Sequence, residues 1–377
     1  MGHTANAKDE VYRALAERLH MNPVGAPINL TLMEILHRIY TESEALVGSK
    51  FPLIPMTLDT IAGITGVREE ELKKILDSMA DKGLVVDLPR RDGTYYTLAP
   101  MVIGFFEFTF MRTGDGVNLK ELAELFDRYF RTPRVAREFF GSDTKLMRTL
   151  VYERLIPAAV ETEVLSYEKA SEIIRQSGGG ALSLCACRHK ASHLGKSCAM
   201  NAPMDVCTSL GETAEWIVRR GLGKPASVDE LLQVLEQTEK LGLVHLGDNV
   251  LNEPWYICHC CGCCCSALGP TRKYGLSFAS PSSFIPVLGP DICTGCGACA
   301  GSCQIKAIVM RDAGSGIKAP EIQQKCIGCG ICASACPSGA LTMSRRPAVN
   351  IPPVDKTDLL TRIAREKDRM HFKLGPV

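Results

Sequence analysis

At 377 residues, with 43 Lys and Arg against 42 Asp and Glu, the chain carries a formal charge of +1 and a pI near 7.4. That balance excludes a global field drawing in nucleic acid or an acidic membrane surface, and the length allows two or three domains, each with its own core. All 18 cysteines lie beyond residue 184, so a cysteine-free first half precedes a sulfur-rich second half.

The opening "MGHTANAKDEVYRALAERLH" lacks the apolar run of a secretion signal and reads as an amphipathic helix. The longest apolar stretch, "LAPMVIGFFEFTF", is short and contains Glu107, which argues against a bilayer span. A cytoplasmic protein is expected, in which clustered cysteines hold metal more often than they form disulfides.

Residues 1–112 read as a winged-helix-like domain. "LTLMEILHRIYTESEALVG" predicts one long amphipathic helix. "TLDTIAGITGVREEELKKILDSMADKGLVVD" predicts helix, Gly-bearing turn, second helix and strand, and "LPRRDGTYYTL" predicts a hairpin turning at Asp92-Gly93. The second helix is a poor reader of DNA. Glu69, Glu70, Glu71, Asp77 and Asp81 outnumber Arg68, Lys73, Lys74 and Lys82, and only Arg90 and Arg91 lend the hairpin positive charge. Glutamates at a helix N-terminus also serve the dipole, so a scaffold or protein-docking role is preferred. Leu72, Ile75, Leu76, Gly83, Leu84 and Val85 recur 159 residues later as Leu231, Val234, Leu235, Gly242, Leu243 and Val244, a packing unit too general to establish duplication.

Residues 113–180 are predicted to be a helical connector, with "VNLKELAELFDRYF" and "SYEKASEIIRQSGGG" as its clearest pieces. A Cys-rich domain follows at 181–285. Its first group is Cys185, Cys187, Cys198 and Cys207; Ser227 and Glu230 then form a capping box opening a helix that ends near Gly242. The second group, in "CHCCGCCC", is Cys258, Cys260, Cys261, Cys263, Cys264 and Cys265. Cys258, Cys261 and Cys264 share a C-x2-C-x2-C register, with Cys260 and Cys263 interleaved. Six such neighbours exceed the four ligands of one cubane, so spare thiols, two clusters or an unusual cluster all remain open. The preferred partition gives Cys185, Cys187, Cys198 and Cys207 to one cluster and lets Cys258, Cys261 and Cys264 anchor another. Zinc is the competing metal. Arg188 and His189 are candidate donors to cluster sulfurs. His189, His193 and His259 are weak candidates for a Cys–His nucleophile, and no C-x-x-C-H haem motif is present.

Residues 286–344 carry the strongest signal. "CTGCGACAGSC" supplies Cys293, Cys296, Cys299 and Cys303, and "CIGCGICASACP" supplies Cys326, Cys329, Cys332 and Cys336, both in the C-x2-C-x2-C-x3-C spacing of two-cluster ferredoxins. In that arrangement the fourth cysteine serves the other cube. Cys293, Cys296, Cys299 and Cys336 should therefore hold one [4Fe–4S] cluster, and Cys326, Cys329, Cys332 and Cys303 the second. Eight ligands in two matching runs outweigh a pair of zinc knuckles. Gln304 stands where proline usually follows the first run, while Pro337 keeps it in the second. Residues 345–377 read as a linker and C-terminal helix.

The order "CACRH…GKSC…P…C", "ICHCCGCCC" and paired ferredoxin runs, after a winged-helix-like half, resembles a family of 4Fe–4S dicluster-domain proteins of anaerobic bacteria and archaea. That resemblance implies electron transfer. The whole reading is an α+β multidomain protein that passes single electrons between donor and acceptor oxidoreductases, through two [4Fe–4S] clusters and at least one further iron–sulfur cluster within 185–265. No strand–G-x-G-x-x-G–helix context for a dinucleotide is found. Two other readings stand beside it: a cluster-sensing winged-helix regulator, and a reductase subunit with a catalytic metal centre at 258–265. Nucleic acid is not the expected partner, and a homodimer is left open.

Overall fold

A computed structural model of the chain describes residues 2–113, 117–159, 166–312 and 318–370. Among them no helix is long and apolar enough to cross a membrane.

The first half is mainly helical: α1 (Gly2–His20), α2 (Leu30–Ile39), α3 (Glu42–Ser49), α4 (Leu58–Thr65), α5 (Glu69–Asp81), α6 (Phe106–Met111), α7 (Leu119–Phe130) and α8 (Pro133–Phe140). The expected long helix over 30–48 is two. Thr41 accepts from Glu44 N–H and Glu44 returns the bond to Thr41 N–H, a capping box that starts α3 after an extended Tyr40. Glu44 also takes Lys82 at 2.7 Å and Ser78 at 2.8 Å, so the break ties α3 to α5. A small sheet of β1 (Met56–Thr57), β2 (Val85–Arg90) and β3 (Gly93–Leu98), in the order β1-β3-β2, carries the hairpin.

A seven-stranded sheet dominates the middle. Its strands are β4 (Met147–Leu150), β5 (Gly180–Ser183), β6 (Cys207–Leu210), β7 (Gly223–Ala226), β8 (Val244–Asp248), β9 (Tyr256–Cys260) and β10 (Ala279–Ser280), in the order β10-β4-β8-β9-β6-β5-β7. Every neighbouring pair is antiparallel except β10 with β4. β4 falls in the segment expected to be helical throughout. All four of its residues are buried, so it lacks the alternation that marks a half-exposed strand. α9 (Ala170–Ser177) and α12 (Val228–Lys240) cover one face of the sheet through Ile173, Ile174 and Leu231 against Leu150, Leu210 and Ile257. α10 (Ala186–His193) packs on α6 and α7, α11 (Gly211–Arg219) packs on β2, and α13 (Leu268–Tyr274) follows the Cys-rich turn.

Two antiparallel pairs, β11 (Phe284–Leu288) with β14 (Leu341–Arg345) and β12 (Ile308–Asp312) with β13 (Lys318–Ile322), flank α14 (Ala298–Ser302) and α15 (Ile331–Ser334). The final α16 (Lys356–Glu366) is packed rather than a solvated tail. Leu359 and Ile363 join the core built by the first half and α11.

Beyond α16, Lys367 and Arg369 close on Glu138 of α8, which also accepts Gly25 N–H at 2.9 Å. Burial alone would raise the Glu138 carboxyl, but Arg369 and Lys367 overcome it and bring its pKa down to about 2. A depressed carboxylate contributes stability above its ordinary value of 4.5, lost as pH falls towards the folded value. Glu138→Gln should therefore cost on the order of 3 kcal/mol at pH 7. In urea unfolding, that gap should persist at pH 5 and shrink only below the ordinary carboxylate range.

Candidate metal centre

The two ferredoxin runs form loops that end in short helices opening at Gly297 and Gly330. In the second loop, a Cβ on Gly328 would lie 2.1 Å from the Phe284 carbonyl, so only glycine allows the loop to approach β11 this closely. Cys293, Cys296, Cys299 and Cys336 border one open cleft with Leu288 and Leu341. Cys303 instead faces Cys326, Cys329 and Cys332. Each run thus sends its fourth cysteine to the other. Burial pushes the Cys332 thiol up to about 12, and Ala307 N–H donates to Cys303 Sγ at 3.1 Å. Largely buried sulfurs with an N–H donor suit a bound iron–sulfur cluster at the second quartet, while the first is more open, with Cys296 exposed.

The Cys-rich segment is sorted by its strand. Successive side chains of β9 point to opposite faces. Cys258 pairs with Leu246 and Cys260 with Val244, while His259 pairs with His245 on the other face. His259 is 2.9 Å from Thr238 Oγ1 and 3.4 Å from Thr208 Oγ1, and burial holds its pKa well below the ordinary range. It is a core histidine. His189 meets the Phe110 carbonyl at 2.7 Å and His193 at 3.1 Å. All three histidines considered as bases, and His189 as a sulfur donor, are engaged with partners other than thiols.

The ten thiols fall into two groups. Cys198, Cys261, Cys263 and Cys264 bring their Sγ atoms within 4.8 Å of one another. Cys185, Cys187, Cys207, Cys258, Cys260 and Cys265 form the other group, linked as Cys207–Cys258–Cys260–Cys265–Cys187 with Cys185 beside Cys258 and Cys265. The structure therefore separates Cys198 from the set Cys185, Cys187 and Cys207, and parts Cys258 from Cys261 and Cys264. A three-residue register has no meaning along β9, which runs extended through Cys260. Only beyond it does the chain turn, with Cys265 N–H donating to the Cys261 carbonyl at 3.2 Å.

Arg188 stands between the groups. It is 2% exposed, donates to the His259 carbonyl at 3.0 Å and lies 4.0 Å from Cys261 Sγ. Burial opposes its charge, yet Cys185, Cys261 and Cys260 raise its pKa above the ordinary value. Its Nε and second terminal nitrogen find no partner among the described residues. Buried, orphaned guanidinium donors beside thiols fit an anionic metal–sulfur group. Burial likewise pushes the Cys185 thiol up to about 11, which opposes its ionisation until a cation binds.

Glu107, from α6, reaches the six-thiol group. Its half-buried carboxyl accepts Gly104 N–H at 2.8 Å and is pushed up to about 8 by burial, with Cys258 and Cys265 adding to the shift. Sequence reasoning used Glu107 only against a membrane span. An acid within "GFFEFTF" was the available signal for a buried site.

Gln304 explains the missing proline. Its Oε1 accepts Gly262 N–H at 2.7 Å, and its Nε2 donates to the Gly242 carbonyl at 3.1 Å and reaches Met200 Sδ at 3.7 Å. A Cβ on Gly262 would sit 2.5 Å from the Gln304 carbonyl. The first ferredoxin run is thus pinned to the Cys-rich turn. Gln304→Pro should remove these bonds and destabilise the chain by about 2–3 kcal/mol. Denaturant unfolding should show that loss, with Gln304→Glu keeping part of it because one acceptor remains.

Residues 292–340 match the family model of the 4Fe-4S dicluster domain. No curated protein and no solved structure matches the chain. The matched segment spans both cysteine runs, and the C-terminal part of this chain is accordingly a ferredoxin-type iron–sulfur domain.

Proposed function

We propose that the chain is an electron-transfer component that passes single electrons between donor and acceptor oxidoreductases. Cys293, Cys296, Cys299 and Cys336 would hold one [4Fe–4S] cluster, and Cys303, Cys326, Cys329 and Cys332 the second. The six-thiol group would take a further iron–sulfur cluster. When bound, such clusters supply one-electron carriers with potentials set by hydrogen bonding and burial.

One observation carries the reading. Cys303, Cys326 and Cys329 pack against the same apolar core as Cys187, Cys258, Cys260 and Cys265, with Tyr152, Val244 and Ile331 between them. Tyr152 N–H donates to the Cys329 carbonyl at 3.2 Å, and its hydroxyl donates to Leu243 at 2.7 Å. The ferredoxin loops and four of the six thiols thus share one apolar core. At the other end Cys296 is exposed and Ile292 beside it is 56% exposed, which suits docking of a redox partner.

Glu107 favours a second reading, in which the six-thiol group is the catalytic metal centre of a reductase. A half-buried acid that retains its proton near neutrality suits proton supply at such a centre. The regulator reading has less support. Arg90 of the hairpin is paired with Glu212, and β2 packs on α11.

Anaerobically purified protein should contain about eight iron from the ferredoxin domain and further iron and sulfide from the six-thiol group. Cys303→Ser should perturb the EPR signal of the cluster held by Cys326, Cys329 and Cys332, and leave the signal of the other. Iron near zero with stoichiometric zinc in both regions overturns the proposal.

A further inference from the structure

The Cys198 quartet has a different spacing from the other cysteines. Cys198 Sγ lies 3.7 Å from Cys261 Sγ and 3.7 Å from Cys263 Sγ, and Cys263 Sγ lies 3.6 Å from Cys264 Sγ. A disulfide needs about 2.05 Å, so these are not bonded pairs. Four sulfurs placed tetrahedrally about one thiophilic ion, each at about 2.3 Å, lie about 3.8 Å from one another. A cubane gives each thiolate its own iron at a separate corner, which spreads the four sulfurs wider. The ferredoxin quartets provide the internal comparison. Among the described residues neither gathers its Sγ atoms within 4.8 Å, whereas the Cys198 quartet does.

The geometry points to a mononuclear tetrathiolate site, in which Cys198, Cys261, Cys263 and Cys264 hold one divalent thiophilic cation, zinc or ferrous iron, separate from the ferredoxin clusters and from the six-thiol group. Three ligands come from a single turn and the fourth from the loop after α10. Hydrogen bonds hold both segments. Gln304 holds Gly262, Asn201 N–H donates to the Cys198 carbonyl at 3.0 Å, and Ala199 N–H donates to the Cys263 thiol. The four groups bind as thiolates, so up to four protons leave to solvent as the cation enters. The Arg188 guanidinium, 4.0 Å from Cys261 Sγ, offsets part of the resulting negative charge. Cys261 and Cys264 are buried and Cys263 is exposed, which leaves the ion a path in along one edge. The ion would staple the loop after α10 to the turn that leads into α13, and so close one side of the six-thiol group.

The assignment stands apart from the electron-transfer reading, and its test is metal content rather than activity. The full chain, purified anaerobically, is analysed for zinc, iron and sulfide beside Cys263→Ser and Cys198→Ser. Each variant should lose about one zinc, or about one iron, per chain with no loss of sulfide and unchanged cubane EPR. Zinc-edge X-ray absorption on the zinc form should show one sulfur shell near 2.3 Å and no metal–metal scattering. If the ion is iron, Mössbauer spectra should show one high-spin site outside the cubane envelope. Loss of several irons with matching sulfide, or no loss of metal in either variant, overturns the assignment. Absorption and Mössbauer data on the unsubstituted chain decide the matter if the variants fail to fold.

Discussion

Ten thiols packed within one half of a small protein must be divided, held apart and balanced in charge, and the extended backbone of β9 begins all three. Its two-residue period puts Cys258 and Cys260 on one face and His259 on the other. Where β9 ends, the chain turns and throws Cys261, Cys263 and Cys264 to a separate place. Arg188 occupies the boundary, a cation that cannot lose its proton and therefore cannot yield to the low dielectric around it.

The cysteine-free half is part of the same construction. Asp87 of β2 accepts Trp216 Nε1 at 2.9 Å and Arg220 Nε at 2.9 Å, and Arg219 adds a third contact. Burial works against the Asp87 charge, yet Arg220 and Trp216 keep its carboxyl below the usual range. Phe108 packs on Trp216 with ring centres 4.7 Å apart, and Glu107, its neighbour on α6, looks towards Cys258 and Cys265. The hairpin and α6 thus hold α11 on one side and contribute to the six-thiol wall on the other. A hairpin engaged in this way presents little of the free positive surface that phosphate contacts need.

The ferredoxin spacing was legible because the ligands are local, with three cysteines and two glycines in each loop acting over a few residues. Capping at Ser227 and Glu230 and the hairpin near Asp92-Gly93 were legible for the same reason. What escaped were relations set by long-range packing. β4 reads like neither a helix nor an alternating strand because both its faces are covered. The partition of the ten middle cysteines depends on where β9 stops, and a spacing pattern holds no information on that. Cys198 joins partners 63 to 66 positions away, while Cys207 turns to Cys258 across paired strands. The break at Thr41 could have been found, since Thr41 and Glu44 carry a capping-box pattern within an apolar run.

Gln304 links these levels. A proline at that position would serve its own ferredoxin loop, and it could neither accept Gly262 N–H nor donate to Gly242. The glutamine gives up local stiffness for a bridge between the ferredoxin domain and the Cys-rich turn, and Gly262 accepts the close approach that the bridge demands. The neighbouring Cys303 faces Cys326, Cys329 and Cys332, so the bridge lies one residue from a ligand of the second ferredoxin quartet. Movement of the Cys-rich turn therefore has a hydrogen-bonded route through Gln304 to Cys303, beside the apolar core that both regions share. Because hydrogen bonding and burial tune iron–sulfur centres, a rearrangement of the Cys-rich turn would be felt in the ferredoxin domain through this side chain.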